Sequence, residues 1–170
     1  MTSESKLTGL KDHIKSRGRV MVAFSGGADS AFLLKVCVDV LGKDNVVAAT
    51  GASETYTPDE LLFARELAGD LGVKHIVIET DELEDDCFSA NTDRRCYYCK
   101  NNFYDKLLEA ARLENIGTIF DGNNADDLDD YRPGRKAAAE HGVQSPLMTA
   151  GIYKEEIRRY SREMGLKSWD

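Results

Sequence analysis

Residues 25–30 read Ser-Gly-Gly-Ala-Asp-Ser, directly after the apolar run Val20-Met21-Val22-Ala23-Phe24 and directly before the apolar run Ala31–Leu41. A short apolar run, two adjacent glycines and then a long apolar segment spell strand, tight turn and helix. That order places the amino end of a helix at the tip of a strand, where unpaired N–H groups and the positive end of the helix dipole favour an anion. Glycines allow close approach of the backbone to a ligand because no Cβ intervenes. The dipole contributes about 0.3–1 kcal/mol, whereas each hydrogen bond to a charged oxygen contributes about 1.5–3 kcal/mol. Backbone donors therefore dominate, and the glycines matter because they aim them. Ala23, Phe24, Ser25, Gly26, Gly27, Asp29 and Ser30 are accordingly the expected contacts to a chain of phosphates. Ser25 and Ser30 add hydroxyls, and the Asp29 carboxylate is a candidate ligand for Mg²⁺ beside those phosphates.

Two other phosphate loops are excluded. The chain has no Gly-x-x-x-x-Gly-Lys-Ser/Thr stretch and no Gly-x-Gly-x-x-Gly fingerprint. Composition narrows the class further. With 170 residues and 42% hydrophobic content the chain suits one domain with a real core. No apolar run is long enough to cross a bilayer, and the polar segment Met1–Gly18 lacks a signal-peptide core. A net charge of −8 argues against a nucleic-acid surface, which needs clustered Lys and Arg. Arg158, Arg159 and Arg162 are a small local exception that a solvated helix face explains. A cytoplasmic location is expected, with the four cysteines as thiols or ligands rather than disulfides.

Along the chain, strands are predicted at Arg19–Phe24, Asn45–Gly51, Lys74–Glu79 and Gly117–Asp121, with a short one near Ser145–Leu147. Helices are predicted at Asp29–Leu41, Asp59–Leu71 and Asn101–Leu113. The second is capped by Thr57 with Pro58 in its first turn. A last helix near Tyr153–Met164 would bury Tyr153, Ile157, Tyr160 and Met164 on one side. Strand runs without polar alternation imply a parallel sheet covered on both faces. The expected fold class is a three-layer α/β domain of Rossmann-like, adenine nucleotide alpha hydrolase-like form, with the phosphate loop at the carboxyl end of strand one.

Two further clusters carry chemistry. Strand Gly117–Asp121 runs into Gly122-Asn123-Asn124-Ala125-Asp126-Asp127 at a second strand tip. Amides there can read a base edge, while Asp126 and Asp127 can bind Mg²⁺ or cap a short helix. The segment Arg95-Cys96-Tyr97-Tyr98-Cys99-Lys100 sets two thiols three apart, half of a metal or cluster site or a redox pair. Its position before a late helix does not suit a thioredoxin motif. Cys37 belongs to the core and Cys87 has no motif. Lys100 is a candidate phosphate contact as a point charge. His13, His75 and His141 form no ligand spacing.

These blocks together resemble the PP-loop ATP pyrophosphatase superfamily, whose signature is Ser-Gly-Gly-x-Asp-Ser. Within it the chain resembles the ATP-dependent sacrificial sulfur transferases that thiolate the nickel-pincer nucleotide cofactor of lactate racemase. The resemblance runs from about Arg19 to Asp170, through Ser25–Ser30, Ser53-Glu54-Thr55-Tyr56, Asn91–Lys100, Asp121–Asp127, Asp130–Gly134, Ser145-Pro146-Leu147 and Leu166–Asp170. Asn123 departs from the family's usual threonine. The resemblance implies that the chain is the PP-loop ATP-binding domain of such an enzyme over 1–170, and that the family's C-terminal domain, with a third cysteine, lies outside it. It implies nucleotide contacts at Ser53, Lys100, Gly122, Asn123 and Asn124 besides the loop, and Mg²⁺ at Asp29, Asp126 and Asp127. In members with the cysteine pair, it implies a four-iron four-sulfur cluster held by Cys96, Cys99 and that third cysteine. The activity implied is adenylation of a substrate carboxylate with release of pyrophosphate, followed by sulfur delivery that expels AMP, with Asp29, Cys96 and Cys99 as the catalytic set. The expected partner is a small-molecule nucleotide carboxylate; neither membrane nor nucleic acid is expected, and a homo-oligomer is left open.

Other readings share parts of this pattern. An amidating ligase of the NAD or GMP synthetase kind uses the same loop and adenylate but has no evident use for Cys96 and Cys99. A tRNA-thiolating enzyme fits poorly with the acidic charge. A nucleotide sensor without catalysis would bind ATP and release neither AMP nor pyrophosphate. Gly27→Val is expected to abolish ATP binding by crowding the phosphate path, and titration calorimetry of the variant checks this.

Overall fold

The computed structural model describes residues 1–52, 57–79, 95–129 and 133–168, with the backbone alone over 95–101 and 133–134. The elements are α1 (Ser3–Lys15), β1 (Val20–Ala23), α2 (Ala28–Leu41), β2 (Val46–Ala52), α3 (Pro58–Leu71), β3 (Lys74–Glu79), α4 (Arg95–Leu113), β4 (Ile119–Phe120), α5 (Pro133–Glu140), α6 (Pro146–Thr149) and α7 (Lys154–Glu163). The strands form one sheet in the order β3-β2-β1-β4. Each pairing is parallel, with Val20 opposite Val46, Val47 opposite Lys74 and Met21 opposite Ile119.

Side-chain alternation along the strands divides the core into two layers. Val20, Val22 and Phe24 of the first strand, with Val46 and Ala48 of the second, face a cluster that includes Leu10, Phe32, Leu34, Ala64, Leu147 and Ile157. Met21, Val47 and Ala49 face the other side, against Tyr104, Leu107, Ile119 and Ala137. Residues i and i+2 share a face of a strand, so β1 and β2 need apolar residues at every position. This is the three-layer parallel α/β arrangement expected above. Helix α2 is buried nearly all round, from Ala31 through Cys37, and burial pushes the Cys37 thiol's pKa up. Phe32 has no exposed surface and stacks on Tyr160 of α7 at 5.9 Å between ring centres.

Helix α3 starts on the expected cap: the Thr57 hydroxyl accepts from the Glu60 N–H, and the Glu60 carboxylate accepts from the Thr57 N–H at 2.8 Å. The helix predicted from Asn101 begins at Arg95, so Cys96 and Cys99 lie on it and not before it. Three further expectations change. The segment near Ser145–Leu147 is not a strand: Gln144 alone bridges in parallel to Phe120, and Pro146–Thr149 turns helical. Proline at a helix start, with its fixed φ and missing N–H, explains the switch. Tyr153 is 48% exposed and precedes α7 in extended conformation, so the buried stripe reduces to Ile157 and Tyr160 with Met164 packed beside them. The polar start of the chain forms α1, which docks Leu7, Leu10 and Ile14 on the core. No helix among the described residues is long and apolar enough to cross a membrane.

Phe32→Ala leaves a cavity between α2 and α7. It is expected to destabilise the protein by about 3–5 kcal/mol, read from the urea midpoint at unchanged slope.

Candidate nucleotide site

The sheet order places β2 and β4 on either side of β1, so the chain reverses its direction of winding between β1 and β4. Ligands of open α/β sheets bind beyond the carboxyl ends of the strands at such a point. The segments leaving those two ends are Phe24–Ser30 and Asp121–Asp127.

The first segment leaves β1 with Phe24 still held, its N–H donating to the Ala49 carbonyl at 2.8 Å. The chain then turns at Gly26, whose φ of +86° disfavours any side chain and whose Cβ position lies 3.4 Å from Ala64. Gly27 starts α2 in extended conformation and no side chain caps the helix there. The first-turn amides of Ala28, Asp29 and Ser30 thus have no intrahelical partner. The two serines brace the loop itself. The Ser30 hydroxyl accepts from the Ser25 N–H at 3.2 Å and lies 3.1 Å from the Ser25 hydroxyl, which accepts from the Gly27 N–H at 3.2 Å. A Cβ at Gly27 would meet only the Ser25 hydroxyl, at 3.4 Å. The chain therefore has room for a side chain there, and the Gly27→Val variant tests the ligand path rather than the fold.

The second segment is buried against the first. A Cβ on Gly122 would stand 3.0 Å from the Ser30 nitrogen and 3.1 Å from its Cα. Only glycine lets the β4 tip lie that close to the start of α2. Asn124, with no exposed surface, donates its side-chain amide to Asp29 Oδ2 at 2.7 Å. Its Oδ1 accepts from the Asp126 N–H at 2.8 Å. Asp127 caps in return, its Oδ2 accepting from the Asn124 N–H at 2.9 Å. Asp126 Oδ2 accepts from the Lys154 N–H at 2.7 Å and so anchors the start of α7. The buried Asp121 accepts from the Asn123 N–H at 3.1 Å, the Asn123 side-chain amide at 2.9 Å and the Ser145 hydroxyl at 2.7 Å.

Of the three carboxylates expected to hold Mg²⁺, Asp127 closes the cap of the short 3-10 turn Ala125–Leu128, while Asp29 and the exposed Asp126 each bond through Oδ2 and keep Oδ1 without a hydrogen bond among the described residues. No group of three or more His, Cys, Asp or Glu side chains among the described residues is placed to hold a metal. Burial raises the Asp29 pKa above the ordinary carboxylate value, and the neighbouring Asp127 charge adds to this. The Asn124 amide and the charges of Lys154 and Arg158 oppose the rise without cancelling it. Sequence reasoning passed over Ser145 and Lys154 and assigned Arg158 to a solvated face. The signal available was their place at and after the predicted last strand, Ser145 opening it and Lys154 and Arg158 lying on the helix that follows. Ser53 lies outside the described residues. Cys96, Cys99 and Lys100 fall on the first turns of α4, their side chains outside the described set.

A parallel sheet with a Ser-Gly-Gly-x-Asp-Ser loop at its switch point defines a PP-loop nucleotide-binding domain. The NAD synthase family model matches residues 3–112, and the chain belongs to that family. It is 41% identical over 98% of its length to an uncharacterized protein of Synechocystis sp., covering 62% of that protein. It is 40% identical over 99% of its length to the pyridinium-3,5-bisthiocarboxylic acid mononucleotide synthase of Lactiplantibacillus plantarum, covering 61% of it. The chain therefore spans about three-fifths of the length of these curated relatives. Among solved structures, the NMN synthetase of Francisella tularensis superposes with a TM-score of 0.75 at 15% identity, over all of this chain and 74% of that one. That likeness bears on the fold alone.

Gly122→Ala forces backbone apart at the loop. It is expected to cost about 1–3 kcal/mol of stability and to weaken ATP binding, read by thermal denaturation and calorimetry on one sample.

Proposed function

We propose that the protein is an ATP-dependent sulfur transferase, with this chain as its nucleotide-binding part. A carboxylate of a small-molecule nucleotide attacks the α-phosphorus of ATP, the α–β bridging bond breaks, and pyrophosphate leaves with that electron pair. The first-turn amides of α2 stabilise the charge that develops on the departing oxygens. The acyl-adenylate then reacts with a sulfur nucleophile at the carbonyl carbon and releases AMP. The observation that carries this reading is Asp29, held by Asn124 through one oxygen at the loop with the other unpaired among the described residues. That donor suits a hard cation. When bound there, Mg²⁺ supplies neutralisation of phosphate charge.

Sulfur transfer is favoured over amidation by the 40% identity to the bisthiocarboxylic acid mononucleotide synthase over nearly the whole chain. The Cys96-x-x-Cys99 spacing adds to that through the sequence, and a four-iron four-sulfur cluster completed by a cysteine beyond this chain is part of the proposal. Amidation keeps support from the 36% identity, over 86% of this chain, to the NH(3)-dependent NAD(+) synthetase of Methanococcus aeolicus. The reading includes a cytoplasmic location, on the charge and cysteine content.

The intact protein, incubated with ATP and nucleotide carboxylates, should release AMP and pyrophosphate in equal amounts and form a thiocarboxylate. An amide formed from ammonia instead would assign it to the ligases, and ATP left intact would overturn the enzymatic reading. Asp29→Asn keeps the Asn124 contact and removes the charge. Pyrophosphate release should fall by about 10²–10³-fold, the scale of several kcal/mol of lost charge stabilisation. Stability should not fall at neutral pH. A raised folded pKa means that the native state binds this proton more tightly than the unfolded chain, so stability decreases as pH rises from the unfolded value through the folded one. The variant loses that decrease, which a pH series of thermal midpoints measures.

A further inference from the structure

The apolar layer beneath the loop contains a polar contact that the activity above does not use. Thr50, 1% exposed near the carboxyl end of β2, has its hydroxyl 2.6 Å from the Phe24 carbonyl oxygen and 2.7 Å from His75 Nε2 on β3. Thr50 pairs in register with Val77, so His75 is its diagonal neighbour on the same sheet face. A carbonyl can only accept, so the single Thr50 hydroxyl proton goes to Phe24. The hydroxyl oxygen is then the acceptor for His75, and Nε2 must carry a proton. Burial first, and then the Arg65 charge, lower the His75 pKa, so the ring is neutral near pH 7 and holds its one N–H at Nε2. The Phe24 ring meets the His75 ring edge-on at 6.0 Å.

The Phe24 carbonyl and the Ser25 N–H belong to one planar peptide unit, so fixing the first fixes the direction of the second. That unit is the entry to the phosphate loop, and the peptide unit before it is tied to β2, its Phe24 N–H donating to the Ala49 carbonyl. We propose that His75 and Thr50 form a directed relay, His75 Nε2–H to Thr50 Oγ1–H to the Phe24 carbonyl, which aims the Ser25 amide at the Ser30 hydroxyl, sets the loop brace and so makes both side chains positioning residues for the triphosphate. The inference rests on the nucleotide reading above and adds to it two residues outside the loop.

The test uses the intact protein and three probes: ATP, inorganic pyrophosphate and adenosine. Thr50→Val preserves shape and removes the donor. The Kd for ATP and for pyrophosphate should rise about tenfold, the scale of one lost buried hydrogen bond, with adenosine unchanged. Thr50→Ser should restore ATP affinity. His75→Phe alone should cost less, about threefold, because Thr50 can still donate. The double variant should be no weaker than Thr50→Val, since both changes break one chain of contacts. An unchanged ATP Kd in Thr50→Val overturns the relay. So does an equal loss for adenosine, which marks a general structural defect, or full additivity in the double variant. Should the wild type bind no ATP, the nucleotide reading fails, and the relay is judged by hydrogen exchange at the Ser25 amide. Thr50→Val should speed that exchange about tenfold, and an unaltered rate rejects it.

Discussion

Strand β1 is four residues long and hydrogen-bonded on both edges, to β2 on one side and β4 on the other. This double pairing governs everything at the site. A strand paired on both edges has no lateral freedom, so the chain leaving it at Phe24 emerges at the middle of the sheet. It does so at the one place where the neighbouring connections run in opposite directions. Helix α2 must then return over the sheet, and its almost wholly apolar surface is what that position requires. The loop is held at its entry, Phe24, by β2 through Thr50, and the first turn of α2 lies against Gly122 of the β4 tip at Ser30. The loop is thus less a flexible glycine turn than a short segment clamped between three strand ends.

The polar groups of the two strand tips satisfy one another before any ligand arrives. Ser25 and Ser30 brace the loop, Asp127 and Asn124 cap each other, Asp126 holds α7, and Asp121 gathers three donors. Among the described residues, the first-turn amides of α2 and one oxygen each of Asp29 and Asp126 are left over, and of these two carboxylates only Asp29 belongs to the loop. Buried polar groups that are fully paired specify a single arrangement, whereas Asp29 is left with a raised pKa that reflects incomplete solvation of its charge. A carboxylate kept partly desolvated beside free amides is suited to a cation and phosphates together.

Much of the fold was legible because local signals agreed with the tertiary result. The glycine pair marked the turn, Thr57 with Glu60 marked a helix start, and the run Lys74–Glu79 is a strand with those bounds. The errors have particular causes. Helix α1 was passed over because Leu7, Leu10 and Ile14 are thinly spread among polar residues, and its burial comes from docking on α2 and α6 rather than from its own composition. Ser145-Pro146 lay in an apolar stretch and read as a strand, although a proline just after a serine more often starts a helix. Tyr153 matched a helical stripe, yet it sits before the first turn of α7, where Lys6 lies over its ring at 5.0 Å.

By itself, the sequence determined that a glycine turn and the start of a helix follow the first strand, that the sheet is parallel and covered on both faces, and that β4 ends in a cluster of amides and acids. These follow from short-range rules: backbone freedom at glycine, side-chain period, and capping chemistry over three or four residues. Only the tertiary structure decided how the tip residues divide their work, because that depends on contacts between residues about 95 apart, such as Asp29 with Asn124. Local pattern cannot tell a carboxylate that caps a helix from one left open to a ligand. Nor can it see that His75, isolated in the sequence, reaches the loop through Thr50 across two neighbouring strands.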